Sequence, residues 1–321
     1  QGPQGIQGER GPEGPQGPKG EKGDPGSGGG APDWISAEPL NENRMGPAVA
    51  TKNSIAIGYE AYTPDDTSIS IGNFAGMSAK QSYDKTEGLD YNSSISIGGG
   101  ANAFGAQGIV LGVGSSVHDD FSIGIGNSTT VRGGCNIALG HQSKVLNTNN
   151  AISIGFQSNY QTESVGSQSI TIGSFTSNPS DWAIVIGRQA KVENSEYGGE
   201  IAIGGKANAN YSGVAIGVDS QSNYYGVAIG LEARDTYEGV AIGQRAYANN
   251  YGVAIGNGAT VNGVYGAAIG YYASSNGGEV TLKAQNYGNY TEFKIYEPYA
   301  DYAPSELSEH GGLSIYNNNG E

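Results

Sequence analysis

Ser54-Ile55-Ala56-Ile57-Gly58 is the first copy of a motif that recurs along most of the chain: an apolar residue, a small residue, an apolar residue and a glycine. The closing glycine occurs fifteen times between Gly58 and Gly270. Most successive closing glycines are 13–15 residues apart. So many copies near one period are typical of a solenoid, in which each coil stacks on the one before it.

Each copy of the motif predicts a short β-strand, because alternate strand residues point to opposite faces. We expect the apolar residues, such as Ile55 and Ile57, to stack on one face as the core. The middle residue is small or of modest size in every copy, so the opposite face is flat enough for another backbone to approach. The predicted contacts between chains are therefore the middle residues Ala56, Ala202, Ala215, Ala228, Ala241 and Ala254.

A second, thinner strand is predicted in each coil. The third residue after most closing glycines is Ala, Ser or Thr, as at Ala61, Ala101 and Ser115, and a small residue or Val often comes two places later. Two strands and two turns fill the 13–14 residues of a coil, which is too short for a β-helix with three broad faces. The pattern predicts a flattened β-roll, with each closing glycine at a turn where a side chain would be strained.

The N-terminal segment has the composition of collagen. Glycine occupies every third position from Gly2 to Gly26, and several prolines lie between these glycines. Only glycine fits at the crowded axis of three polyproline II-like chains, so residues 1–28 predict a triple helix and hence a trimer. Residues 29–50 read as a linker, and the start at Gln1 leads us to expect a piece of a longer polypeptide.

The repeat at residues 51–275 resembles the YadA-like head of trimeric autotransporter adhesins, whose signature is matched by Ser54-Ile55-Ala56-Ile57-Gly58. This resemblance implies a left-handed parallel β-roll, three copies of which pack around a common axis. The collagen stem departs from that family's pattern. Collagen triplets joined to a trimeric β-structure resemble a bacteriophage tail fibre instead.

Residues 276–321 no longer follow the period. Segments 279–283, 292–296 and 313–316 alternate as half-buried strands, which predicts a short, antiparallel all-β module that continues past Glu321. We expect its tyrosines to contact a receptor, with the alternative that they fill the module's own core. The candidate contacts are Tyr287, Tyr290, Tyr296, Tyr299 and Tyr302.

Two features of the repeat are open to a binding or a structural interpretation. Extra residues lengthen the coils that follow Gly72, Gly155 and Gly187, and such insertions form either tolerated surface bulges or ligand loops. Tyrosines also recur just before the late strands. They either stack on sugar rings or form a self-stacking ladder, which we favour. The recurring residues are Tyr197, Tyr211, Tyr225, Tyr237, Tyr251 and Tyr265.

Nothing in the sequence indicates an enzyme, a cofactor site or a metal site. The three histidines are isolated, and we interpret His118-Asp119-Asp120 as a solvated turn, since one histidine and two adjacent carboxylates do not define a metal site. Cys135 is expected to be a small packed thiol. The formal charge of −15 argues against binding nucleic acid. No apolar run reaches the length of a membrane span.

The sequence thus predicts an all-β homotrimer: a collagen stem, a β-roll shaft and a short β module that displays a receptor-binding tip. Our preferred hypothesis is a bacteriophage tail fibre in the virion, bound to other tail proteins and to a host glycan or protein. The alternative is a trimeric adhesin on the bacterial cell surface. A third hypothesis is a fibre-borne polysaccharide depolymerase.

Overall fold

The computed structural model describes an all-β chain. Its described residues are 35–36, 48, 50, 54–63, 68–76, 93–162, 165–193, 197–286, 289–296 and 312–317. The collagen triplets, most of the 29–50 linker and the insertion at 77–92 lie outside them. In the described part of the chain, no helix has the length and apolar character needed to cross a membrane.

The repeat motifs form one long parallel sheet, the main sheet. Its strands pair in register with their neighbours, so that Ile137 lies opposite Ile152 and Ala138 opposite Ser153. The short strand β1 (Ile35–Ser36) pairs antiparallel with the first repeat strand. The repeat strands are β2 (Ile55–Ile57), β3 (Ile69–Ile71), β4 (Ile95–Ile97), β6 (Ile109–Leu111), β8 (Ile123–Ile125), β10 (Ile137–Leu139), β12 (Ile152–Ile154), β13 (Ile170–Ile172), β14 (Ile184–Ile186), β16 (Ile201–Ile203), β18 (Val214–Ile216), β20 (Val227–Ile229), β22 (Val240–Ile242), β24 (Val253–Ile255) and β26 (Ala267–Gly270).

The predicted second strand of each coil is present as a run of two-residue strands. They form two separate parallel outer sheets, with a break between β11 and β15. The first outer sheet contains β5 (Asn102–Ala103), β7 (Ser116–Val117), β9 (Thr130–Val131) and β11 (Lys144–Val145). The second contains β15 (Lys191–Val192), β17 (Asn208–Ala209), β19 (Gln221–Ser222), β21 (Arg234–Asp235), β23 (Tyr247–Ala248), β25 (Thr260–Val261) and β27 (Ser274–Ser275).

The interior of the roll lies between the main sheet and the outer sheets, and it is lined by small residues. The middle residue of each repeat strand is buried, as is the second residue of each outer strand; Ala138 and Val145 are examples. The flanking isoleucines point away from this interior. The predicted strand faces are therefore wrong: the small residues form the core of the single chain, and the large apolar residues lie outside it.

The closing glycines stack on one another at one edge of the main sheet. Gly155 has φ +139°, and the amide of Gly173 in the next coil donates to the carbonyl of Ile154 at 2.8 Å. A Cβ on Gly155 would overlap the carbonyl oxygen of Gly173. The predicted need for glycine at this turn is confirmed, both by the left-handed backbone and by the lack of space.

The main sheet continues into the three C-terminal strands: β28 (Glu279–Asn286), β29 (Asn289–Tyr296) and β30 (Gly312–Asn317). β28 pairs parallel with β26, and β28, β29 and β30 pair antiparallel, as the alternation in the sequence predicted. This segment extends the sheet of the roll directly.

Candidate functional site

The most extensive surface feature of the single chain is an apolar stripe along the outward face of the main sheet. It consists of the first and third residues of the repeat strands, which are isoleucine, valine or leucine in nearly every coil. Each of these residues is half-buried or exposed in the single chain. The most exposed isoleucines of the stripe are Ile55, Ile97, Ile125, Ile172, Ile242, Ile255 and Ile269.

The six alanines predicted to contact other chains do not belong to this stripe. Ala56, Ala202, Ala215, Ala228, Ala241 and Ala254 are each fully buried inside the roll of one chain. Four of them cluster with buried residues of the outer strands: Ala202 and Ala215 with Ala209, and Ala241 and Ala254 with Val261. This prediction is corrected for a geometric reason: two sheets joined by short turns leave room only for small side chains between them. The surface available to another chain is the apolar stripe.

The stripe extends along the whole roll. Parallel strands lie about 4.8 Å apart, so fifteen repeat strands span roughly 70 Å. It continues onto β28, where Leu282 lies opposite Ile269 and is itself exposed. Contiguous apolar surface on this scale is typical of an interaction site rather than of scattered surface residues. The stripe is therefore suited to burial against another apolar surface.

The same apolar face widens on the C-terminal sheet. Leu282 lies opposite Phe293, which lies opposite Ile315 on β30. Ile315 and Leu313 are 70% and 60% exposed, more than the isoleucines of the roll. This end of the molecule presents an apolar surface three strands wide.

Only part of the predicted tyrosine contact region can be located. Tyr287, Tyr299 and Tyr302 lie outside the described residues, and Tyr296 ends β29. The centres of the Tyr290 and Tyr316 rings lie 5.6 Å apart. The ammonium group of Lys283 lies 4.3 Å from the centre of the Tyr290 ring. A receptor contact by these five tyrosines remains a prediction.

The tyrosines before the late strands form a self-stacking ladder, as favoured from the sequence, but two of the six predicted residues, Tyr197 and Tyr225, pair with each other outside it. Successive ring centres lie 4.2, 5.4, 5.4 and 5.0 Å apart. Tyr224, which is not among the six predicted tyrosines, stacks in the ladder in place of its neighbour Tyr225. The ring centres of Tyr225 and Tyr197 lie 5.7 Å apart. The ladder consists of Tyr211, Tyr224, Tyr237, Tyr251 and Tyr265.

His118, Asp119 and Asp120 all contact neighbouring coils. The His118 ring stacks on Phe104 with centres 4.5 Å apart, and its burial, helped by the charge of Arg132, lowers the pKa of His118 below the ordinary value. Asp119 accepts a hydrogen bond from the amide of Gly133, and Asp120 accepts one from another turn amide. Within the described residues, no cluster of three or more His, Cys, Asp or Glu side chains could hold a metal ion.

Comparisons with known proteins match both ends of the roll. The family model for the YadA head domain repeat matches residues 52–75 and 249–273, so the chain carries YadA-like head repeats. A solved structure, the collagen-binding domain of the Yersinia adhesin YadA, aligns over 44% of this chain and 69% of that one, with 20% sequence identity and a TM-score of 0.34. No curated protein sequence matches the chain.

Proposed function

We propose that this chain forms the head of a trimeric adhesin on the bacterial cell surface. Three copies pack around a common axis through the apolar stripe, and their outer sheets face solvent and the host. The observation that carries this proposal is the stripe itself, which runs unbroken from Ile55 to Leu282 and is at least partly exposed in the single chain. Burying the stripe in a trimer removes apolar surface from water, and each Å² that is buried stabilises the assembly by about 25 cal/mol.

Two features of the sequence support three copies rather than two. Nine consecutive glycine triplets at the N-terminus are suited to a three-chain helix, which requires a trimer. The head repeats matched at both ends of the roll belong to a family that the sequence resemblance associates with trimers. A trimeric roll would hold the three stems together, since a short collagen segment gains little stability alone.

The matched YadA head repeats favour a surface adhesin over the tail fibre that the sequence first suggested. We accordingly place the partner on a host cell, as a surface glycan or protein. The proposed activity is adhesion without catalysis or a cofactor.

The assembly is tested on the full 321-residue chain by sedimentation equilibrium. We expect three times 32.9 kDa for the intact protein. An Ile97→Asp, Ile125→Asp, Ile172→Asp triple variant places charges along the stripe and should sediment as a folded monomer. A stable monomer of the unmodified chain at micromolar concentration would overturn the proposal.

The biological role is tested by binding the labelled trimer to two kinds of cell. An adhesin head should bind cultured animal cells and bind bacteria poorly. The monomeric triple variant is the control, because it loses the avidity of three copies while keeping its outer sheets. Binding to bacterial cells alone would favour the tail fibre instead.

A further inference from the structure

The outer surface of the roll has a pocket at the break between its two outer sheets. The first outer sheet ends at β11 and the second begins at β15. An isolated bridge pairs Ser177, which lies in this gap, with Lys191 of β15. Here the lengthened coil after Gly155 forms a wide turn at residues 156–161 in place of an outer strand. The resulting cavity has a volume of about 690 Å³, within the usual range for small-molecule sites.

Two aromatic side chains line this pocket. Phe175 is 49% exposed, and its left-handed backbone (φ +58°) places it in the same turn as the equivalent residues of adjacent coils. Its ring packs edge-on against Phe156, with centres 5.3 Å apart. Tyr160 is held from outside the pocket: Lys144 donates to its carbonyl at 3.0 Å and lies over its ring at 4.2 Å. Each ring therefore has a neighbour that packs against it, and both rings remain exposed to solvent.

Cationic and amide side chains complete the lining. Arg188 and Lys191 bring two positive charges together on a chain whose formal charge is −15. Lys191 makes a loose, exposed ion pair with Glu193 at 3.9 Å. Gln161 and Gln189 add amide groups. In the part of the chain that the structure describes, the side chains of Arg188, Gln161 and Gln189 make no hydrogen bond, so their donors are available to a ligand.

We propose that this pocket binds an anionic sugar, a pyranose that carries a carboxylate or sulfate group. The apolar C–H face of the sugar ring would stack on the aromatic ring of Phe175 or Tyr160. The anionic group would accept paired hydrogen bonds from the Arg188 guanidinium, the side chain best shaped for planar anions. Amides both donate and accept, which suits the many hydroxyl groups of a sugar.

An acidic peptide is less suited to the same groups. Extended peptides usually bind by adding a strand to an open sheet edge. In this pocket the amides of Ser177 and Lys191 already donate to the carbonyls of Ala190 and Ala207. The groups that remain available for binding are side chains, and these are suited to a compact, polyhydroxylated anion.

The pocket goes beyond the proposed adhesin function, because one chain forms it without help from another. Its lining residues come from turns and from the outer-sheet side, and none belongs to the apolar stripe. Trimer formation through the stripe would therefore leave the pocket open, three times per assembly. Sugar binding and oligomeric state can be measured on one sample, so failure of either proposal is seen separately.

The test is titration of the full chain with single sugars, followed by ligand-observed NMR. The probes are sialyllactose, a glucuronate disaccharide, a sulfated N-acetylglucosamine, neutral lactose and a short glutamate peptide. We expect binding of an acidic sugar, with the carboxylated and sulfated probes identifying the anionic group. Arg188→Gln should weaken that binding at least about tenfold, since it removes a charge-assisted hydrogen bond. Phe175→Asn should also weaken it, and asparagine tolerates the left-handed backbone.

Matched control variants lie elsewhere on the same roll. Arg234→Gln removes an exposed arginine from the second outer sheet, and Phe121→Asn removes an exposed phenylalanine from a left-handed turn with φ +55°. Neither should change sugar affinity. The proposal is overturned if no acidic sugar binds at millimolar concentration, if lactose binds equally well, if only the peptide binds, or if both pocket variants bind as the unmodified protein does.

Discussion

Thr171 and Ile172 are consecutive residues of β13 with opposite surroundings. Thr171 is fully buried inside the roll, where its hydroxyl oxygen accepts a hydrogen bond from the Asn178 amide at 3.0 Å. Ile172 lies on the outer face of the same sheet and is 37% exposed. The middle residue is buried in every repeat strand from β2 to β26. The chain therefore has a thin interior of its own and a separate apolar layer outside it.

This arrangement predicts that adjacent substitutions in one strand fail in different ways. Ala241→Asp would bury a charge in the interior, at a cost of several kcal/mol, and should disrupt the local β-structure. Ile242→Asp places the same charge on the apolar stripe and should weaken association while the single chain keeps its fold. Circular dichroism reports the first effect, and sedimentation velocity at several concentrations reports the second. Equal loss of β-signal in dilute solutions of both variants would contradict the assigned faces.

The period of the sequence was sufficient to predict the strands and the glycine turns, but not the strand faces. The prediction placed the larger apolar residues of each strand in the core and the small residues on the outer face. In this roll the turns hold the two sheets so close that the largest fully buried apolar side chains in the described residues are valines. Isoleucine is too large for this interior, and the isoleucines lie in the external stripe instead.

Local spacing also could not identify details that depend on contacts between coils. Tyr224 and Tyr225 are adjacent, and only the stacking in three dimensions decides which of them joins the ladder. Cys135 was expected to be packed, yet it lies exposed at a left-handed turn with φ +59°. In the sequence, the long spacing after Gly155 is the one sign of the pocket beside Phe175. The pocket itself depends on the break between the outer sheets, which the spacing alone does not predict.

The tyrosine ladder should stabilise the second half of the roll. Tyr251 lies between Tyr237 and Tyr265, with ring centres 5.4 and 5.0 Å away. Tyr251→Asn keeps a residue suited to its left-handed backbone and removes both ring contacts, each worth about 0.5–1.5 kcal/mol. We expect a lower melting temperature by calorimetry. Tyr251→Phe retains the ring and is the control; equal melting temperatures for the Asn and Phe variants would show that stacking contributes nothing.

Asp235 should give the roll a pH-dependent stability. It is buried at a position taken by Ala248 in the next coil, and that burial raises the pKa of Asp235 above its ordinary value of 3.8. Hydrogen bonds from the Asn223 and Gly239 amides act in the opposite direction without cancelling the shift. Because folding favours the protonated acid, this contribution is full below about pH 3.8 and is lost as the pH rises through the folded-state pKa.

The measurement is the free energy of unfolding in urea at a series of pH values, for the unmodified chain and for Asp235→Ser. Serine occupies the equivalent position at Ser222 in the preceding coil, so it is compatible with the interior. The variant should gain stability relative to the unmodified chain as the pH rises from acid to neutral. A difference between the two proteins that stays constant with pH would rule out Asp235 as the source.

Gly204 and Gly205 are adjacent, and we expect opposite responses to alanine. Gly204 has φ +135°, and a Cβ there would overlap the carbonyl oxygen of Gly217 in the next coil. At Gly205 the nearest atom to an added Cβ is the Arg188 carbonyl oxygen at 3.9 Å, an ordinary contact. The backbone strain at Gly204 alone is worth about 1–3 kcal/mol, before any displacement of the neighbouring coil.

Gly204→Ala should therefore lower the free energy of unfolding by at least about 2 kcal/mol. Alanine is strained in the left-handed backbone, and the carbonyl of the stacked glycine would have to move to make room for its Cβ. Gly205→Ala should change it by less than about 1 kcal/mol, and in the stabilising direction, since alanine restricts the unfolded chain. Both values come from urea unfolding of otherwise identical proteins. If the two alanines cost the same, the stacked glycine column is not what holds successive coils in register, and the strand hydrogen bonds alone must do so.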